Sequence, residues 1–287
     1  MEFNIVSPKS RSELLEAIRK EKNFRFGAGY TDLLMELKKK PHDNLTVINL
    51  SQIKDVQLSG IKKSAKGLRL GAMFTAHKMV MNEEIRNSYT ALHESAFNLA
   101  STQIRQVATV GGNLCTASPS GDIACALVAL DATCELLSTS GKSRNIHITD
   151  FFTGVRKTAL KKNEVLYGIS VPSKNKDTKN IFSNFIKVGT RRSMECSVVS
   201  LAYHIQVNKS GEIVKAGVAI GASAPTVRFA ESACKFLIGK KYKSISEKEK
   251  EEFAKKVLSY ASPITDIRAT AWYRKEVLFN ISKSIFY

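Results

Sequence analysis

The 287-residue chain has no apolar run near the ~18 residues that a membrane-crossing helix needs. Its opening, MEFNIVSPKSRSELLEAIRK, has no basic segment leading into an apolar one, so no secretory signal is expected and a cytoplasmic location is. The five cysteines (Cys115, Cys125, Cys134, Cys196, Cys234) are odd in number, widely spaced and without a CxxC pair. That spacing argues against disulfides and against a zinc or iron–sulfur site built from this chain alone. None of His42, His77, His93, His147 and His204 stands in a recognisable motif beside a nucleophile, which leaves little support for a hydrolase. No internal repeat and no low-complexity segment is present.

What is present is the composition of a folded soluble protein, 43% hydrophobic and 24% charged, long enough for two or three domains. Lysine and arginine number 44 against 26 acidic residues, for a net charge of +18. A nucleic-acid binder would gather such charge on one element among aromatics. Here the lysines scatter over turns and helix faces, at Lys38–Lys40, Lys62–Lys63, Lys161–Lys162 and Lys240–Lys243, so an acidic partner or an anionic ligand explains them as well.

In chain order, residues 3–6 read as a strand and Ser10 as the cap of a helix carrying Leu14, Leu15 and Ile18. Phe24–Phe26 is a strand, Gly27-Ala28-Gly29-Tyr30 a turn, Thr31-Asp32 a helix start, and TVINL (46–50) a further strand, together a small βαβαβ unit. QLSGIKKSAKGLRLGAMFT (57–75) reads as a hairpin turning at Lys66-Gly67, followed by helices at His77–Glu84 and Thr90–Ser101. Short strands return in TCELLS, RNIHI and EVLYGISV, around the loop DFFTGVRKTAL. Pro172 and SKNKDTKN mark a linker. Three antiparallel strands follow (FSNFIKVG, CSVVSLAYHIQV, EIVKAGVAIGAS), then helices at Val227–Phe236, Glu247–Leu258 and Ala271–Ile285.

The central stretch is ASTQIRQVATVGGNLCTASPSGDIACALVALD (100–131), read as the end of a helix, a break before Gly111-Gly112, a small-residue loop, and a helix opened by Asp122. Tandem glycines let a ligand approach backbone amides without a Cβ in the way, and such turns bind phosphate or pyrophosphate. The turn at 27–30 lacks the full GxGxxG spacing of a dinucleotide-binding Rossmann unit. Two glycine turns about 80 residues apart, each with Thr and Asp and each running into a helix, suggest one extended anionic ligand. Asp32 and Asp122 also suit helix starts, and Thr31 and Thr109 turn-stabilising hydroxyls.

At these residues the chain resembles the FAD-binding medium subunit of molybdenum hydroxylases, the xanthine dehydrogenase and carbon monoxide dehydrogenase flavoproteins. AGYTDLL (28–34) is similar to that family's AGGTDLL, and IRQVATVGGNLCTASPSGD (104–122) to its IRN-x-ATIGGN-x-x-x-ASP-x-x-D signature. EVLYGISVP, FIKVGTRRSMECSVVS, GASAPTVRFAE and IRATAWYR extend the resemblance along the whole chain.

The resemblance implies an α+β fold: a two-lobed FAD-binding domain of the p-cresol methylhydroxylase type (lobes 1–56 and 57–175) and a small α+β C-terminal domain (176–287). It implies FAD as cofactor, with Gly27, Ala28, Gly29, Tyr30, Thr31, Asp32 and Leu33, and Thr109, Gly111, Gly112 and Asn113, at the pyrophosphate. Ala100, Cys115, Thr116 and Asp122 would line the cofactor further along, Asp122 toward the ribose or adenine. Leu166 would pack by the flavin or the adenine end, and Lys187 near the isoalloxazine, where it would stabilise negative charge on reduced flavin. A molybdopterin-binding large subunit and a [2Fe–2S] small subunit would be partners, NAD one acceptor, and no catalytic acid or base is implied. Tyr30 stands where the family usually has a second Gly, so either this turn differs locally or the ring covers the flavin. Two rivals differ in chemistry: a nucleic-acid-binding module, and a scaffold of the same fold with an empty FAD site.

Overall fold

The computed structural model describes residues 3–39, 44–191 and 194–287; Lys40, His42 and the Arg192-Ser193 pair of FIKVGTRRSMECSVVS lie outside them. Strands β1 (Asn4–Val6), β2 (Phe24–Gly27) and β3 (Thr46–Asn49) form a parallel sheet in the order β1-β3-β2. Its central strand carries the apolar run, and Val47 and Ile48 are fully buried, as a parallel strand covered on both faces requires. Ser10 caps the helix Arg11–Lys20 as expected, its hydroxyl accepting the Glu13 N–H at 3.2 Å.

Strands β4 (Ile61–Ser64), β5 (Gly67–Gly71), β6 (Thr133–Ser138) and β7 (Ser143–His147) belong to a second, antiparallel sheet. A small hairpin, β8 (Phe152–Gly154) with β9 (Lys157–Thr158), precedes its long strand β10 (Glu164–Pro172), and the order is β4-β5-β10-β6-β7. The third sheet is β11 (Asn180–Val188), β12 (Val199–Val207), β13 (Ile213–Gly221) and β14 (Arg228–Phe229), antiparallel throughout. The helices Glu231–Leu237, Glu247–Leu258 and Ala271–Ser284 follow it. The fold is α+β.

Several helix boundaries differ from the sequence expectation, two because a polar side chain caps and one because an edge strand intervenes. Asn82 ends the helix Ala76–Met81 and caps Glu83–Ser88, its Oδ1 taking the Ile85 N–H at 3.0 Å. Ser101 does not end a helix; it starts one, Thr102–Val107, after the helix Thr90–Phe97 has closed. Val227 is not helical, because Arg228–Phe229 adds an edge strand to β13 and the helix begins only at Glu231.

The helix Asp122–Ala129 is the hub. All eight of its residues are buried, consistent with a sequence apolar on every side. One hydrophobic core runs from Leu14 through this helix and the second sheet to Phe185, Ala202 and Ala219 of the third. At Gly217 a Cβ would collide with the Ala129 carbonyl, so the third sheet lies directly on the helix end. A second core, around Leu201, Ile220, Phe253 and Leu278, fills the other face of that sheet.

Candidate functional site

The two glycine segments meet. A Cβ on Gly29 would collide with the Val107 carbonyl, which puts the first turn against the backbone leading into the second. Thr116 donates to Asp32 Oδ2 at 3.3 Å, a contact between positions 84 residues apart. The sequence places Gly111-Gly112 in an open turn, and the structure corrects this: they occupy the first turn of a helix, Val110–Thr116. Thr109 caps that helix, its hydroxyl taking the Gly112 N–H at 3.0 Å, and Val110, Gly111 and Leu114 are buried. Glycine's poor helix propensity is overridden at Gly111 because the backbone lies against Ala72, where a Cβ has no room.

The amides of the two segments differ. Those of Val110, Gly111, Gly112 and Asn113 are all engaged within the chain, by Phe74, Ala72, Thr109 Oγ1 and Thr109 respectively. Those of Gly29, Tyr30, Thr31 and Asp32 donate to nothing among the described residues. Backbone donors left unpaired at an accessible turn are what an anionic group needs. The second segment therefore contributes a surface in place of the expected amide cradle. At Gly112 a Cβ would meet only Thr109 Oγ1, at 3.0 Å, and Cys115, one turn on, is exposed. Protein crowding nevertheless pushes the Cys115 thiol up, to about 12. Asn113 ties this helix to the next, its Oδ1 accepting the Ala124 N–H at 3.0 Å.

Tyr30 sits at φ 60, in the left-handed region that a glycine at this position would occupy without strain. Its ring folds back over Gly27, where no Cβ would fit, and joins Leu37, Leu45 and Val47 in a small apolar cluster. The local packing of an aromatic ring thus offsets a backbone conformation that disfavours any side chain. Ala100 is also left-handed, at φ 42, and its carbonyl accepts from the Arg105 guanidinium at 3.1 Å.

Asp122 and Lys187 are not at opposite ends of the site. Lys187 Nζ lies 2.7 Å from Asp122 Oδ2 and 3.1 Å from the Asn98 carbonyl, while Ser197 donates to Asp122 Oδ1 at 2.6 Å. The two residues, expected toward the ribose or adenine and near the isoalloxazine respectively, thus meet in one buried ion pair. Burial pushes the Asp122 carboxyl up, and the Lys187 ammonium pulls it back. Leu166 is buried in the main core beside a bulge in the β10–β6 pairing.

Sequence reasoning missed Arg156, which pairs with Asp32 through both guanidinium nitrogens at 2.9 and 3.1 Å. It also missed Ser197 and Asn98, the other partners at Asp122 and Lys187. The loop DFFTGVRKTAL carries no local signal for a contact with residue 32.

A glycine turn with unengaged amides thus lies against the backbone that leads into the helix carrying Gly112, Cys115 and Thr116. The chain belongs to the family described as the FAD binding domain in molybdopterin dehydrogenase, whose model matches residues 1–174, and FAD is that family's cofactor. A second model, the CO dehydrogenase flavoprotein C-terminal domain, matches residues 184–287. The glyceraldehyde dehydrogenase medium chain of Sulfolobus acidocaldarius is 28% identical over 99% of this chain and 97% of its own. The xanthine dehydrogenase FAD-binding subunit of Escherichia coli O157:H7 is 28% identical over 90% of this chain and 86% of its own. The relatives are oxidoreductase subunits. Carbon monoxide dehydrogenase from Hydrogenophaga pseudoflava superposes with a TM-score of 0.89 at 23% identity, over 99% of this chain and 96% of that one, a likeness of fold. Among the described residues no helix is long and apolar enough to cross a membrane.

Proposed function

We propose that this chain is the FAD-carrying electron-transfer subunit of a molybdenum hydroxylase. In this reading it takes electrons from the [2Fe–2S] clusters of a small partner subunit, which receive them from a molybdopterin-binding large subunit, and delivers them to NAD or another acceptor. The observation that carries the reading is the pairing of unengaged amides at Gly29–Asp32 with the open face of Gly112, Cys115 and Thr116. The residues fit the group: the first segment would hold the diphosphate and the second would floor the cleft. The flavin supplies the redox chemistry when bound, and the protein supplies position and electrostatics. No side chain is assigned a proton-transfer role.

Lys187 enters this function indirectly, because its ammonium is neutralised by Asp122 and does not stand free to face a reduced flavin. The arrangement of Tyr30, packed back over Gly27 beside Leu37 and Leu45, supports the reading in which the turn differs locally from the Gly-Gly form.

The test is the visible absorption spectrum of the purified chain, with mass analysis of what acid releases. Flavin bands and released FAD are expected. A colourless chain that also takes up no added FAD would overturn the proposal in favour of the scaffold reading. Reduction by NADH of the flavin-loaded chain, compared with an artificial acceptor assay in the complex, then separates NAD from other acceptors.

A further inference from the structure

Arg156 touches both glycine segments at once. Its backbone N–H donates to the Ala117 carbonyl at 3.0 Å, at the residue that closes the helix Val110–Thr116. Its guanidinium reaches across to hold both oxygens of Asp32, in the first segment. Asp32 in turn accepts the Thr116 hydroxyl, so a closed circuit joins the tip of the β8–β9 hairpin to each side of the cleft. The backbone is in the left-handed region at two of its corners, Ala117 at φ 46 and Arg156 at φ 55, and at Tyr30, two residues before Asp32, at φ 60. Non-glycine residues held there store strain that the surroundings must offset, and such residues gather at functional sites.

The circuit has an electrostatic purpose. Asp32 stands next to the unpaired amides of Gly29, Tyr30 and Thr31, where the proposed function puts a diphosphate. An unpaired carboxylate there would repel that group. Arg156 pairs with the carboxylate through two hydrogen bonds and holds its carboxyl below the ordinary range. The fork geometry fixes orientation as well as charge, which a lysine in the same place would not do.

We propose that Arg156 is a positioning residue for the diphosphate of the cofactor: it clasps Asp32 to the second segment and cancels the charge that would otherwise oppose binding. The inference rests on the reading that FAD lies across the two segments.

The experiment is titration of the full apo-chain with FAD, and separately with ADP, followed by flavin fluorescence and by competition. Arg156 is half exposed, so Arg156→Ala is expected to fold, and melting of the apo-protein checks this. Its affinity for both ligands should fall by roughly three- to fivefold, the scale of a partly exposed charge pair at ~1.4 kcal/mol per decade. Arg156→Lys should recover part of the loss. Adding Asp32→Asn to Arg156→Ala should also recover part of it, because the repelling carboxylate is gone. That recovery is what a merely structural hairpin contact would not produce. Wild-type affinity in Arg156→Ala, or a loss that Asp32→Asn leaves unrelieved, would overturn the proposal while the FAD reading stands. A wild-type chain that binds neither FAD nor ADP would overturn both.

Discussion

Lys187 Nζ lies 2.7 Å from Asp122 Oδ2, and the pair joins the third sheet to the buried helix that follows the second glycine segment. Both side chains are shielded, with exposures of 10% and 3%. Removing one member of a buried pair strands a charge, a change of about 3 kcal/mol or more. Lys187→Met is therefore expected to lower unfolding stability by about that amount, and adding Asp122→Asn should restore at least half. Urea unfolding checks it; equal losses in the single and double variants would show that the pair carries no such energy.

Tyr30 and Gly27 are coupled sterically. Gly27→Ala puts a methyl group into the Tyr30 ring and should displace it from Leu37 and Leu45, a loss of about 2 kcal/mol, the ordinary scale of overpacking. In a Tyr30→Gly background the collision is absent, so the same Gly27→Ala change should do little. Thermal denaturation of the four proteins gives the coupling directly, and additive effects would contradict the ring-on-glycine geometry.

Gly29 and Gly112 should separate folding from cofactor binding. Gly29→Ala drives a Cβ into the Val107 carbonyl and is expected to damage stability and FAD affinity together. At Gly112 the added Cβ meets only Thr109 Oγ1, and a gain of up to ~1 kcal/mol in helix propensity offsets that crowding. Gly112→Ala should leave the apo-protein close to wild-type stability while weakening FAD binding. An unchanged FAD affinity in Gly112→Ala would remove this face from the site.

His204 predicts a pH dependence. Gln206 turns its Oε1 to the Thr178 hydroxyl and the Asn175 N–H, at 2.8 and 2.7 Å, which leaves its Nε2 facing His204 Nε2 at 3.1 Å. That ring nitrogen must accept, so the imidazole is neutral, and burial pushes its pKa down to about 4 from 6.5. The unfolded chain binds a proton that the fold refuses between those values. Its contribution is complete above about pH 6.5 and fades as pH falls toward 4. Unfolding free energies from pH 7 to 4 should show this loss, and a His204→Asn variant should show a shallower slope. An identical slope would exclude His204 as its source.

The elements with local signatures are legible in the sequence. Ser10 capping Arg11–Lys20, the βαβαβ unit, and the three long strands from residue 180 onward all announce themselves in a few adjacent residues. The two glycine segments were readable as a pair through their shared Thr, Gly and Asp content. Their roles were less so. Gly27, Gly29 and Gly111 are glycines chiefly because protein atoms crowd them, a demand set by Tyr30, Val107 and Ala72 far away in sequence or across a turn. Gly111-Gly112 lies in a helix because tertiary contact overrides propensity. The Asp32–Arg156 and Asp122–Lys187 pairs span 124 and 65 positions, and no periodicity encodes which opposite charges will meet.

The contact of Gly217 with the Ala129 carbonyl reaches beyond packing. Two family models divide the chain between residues 174 and 184, yet Phe185, Ala202 and Ala219 belong to the core of the portion before that division. A fragment ending at residue 174 would uncover an apolar face along the helix that follows the second glycine segment. Such a fragment would seek its missing half in trans or self-associate. Any C-terminal half joined to this helix end would need, where Gly217 stands, a residue with no Cβ to meet the Ala129 carbonyl.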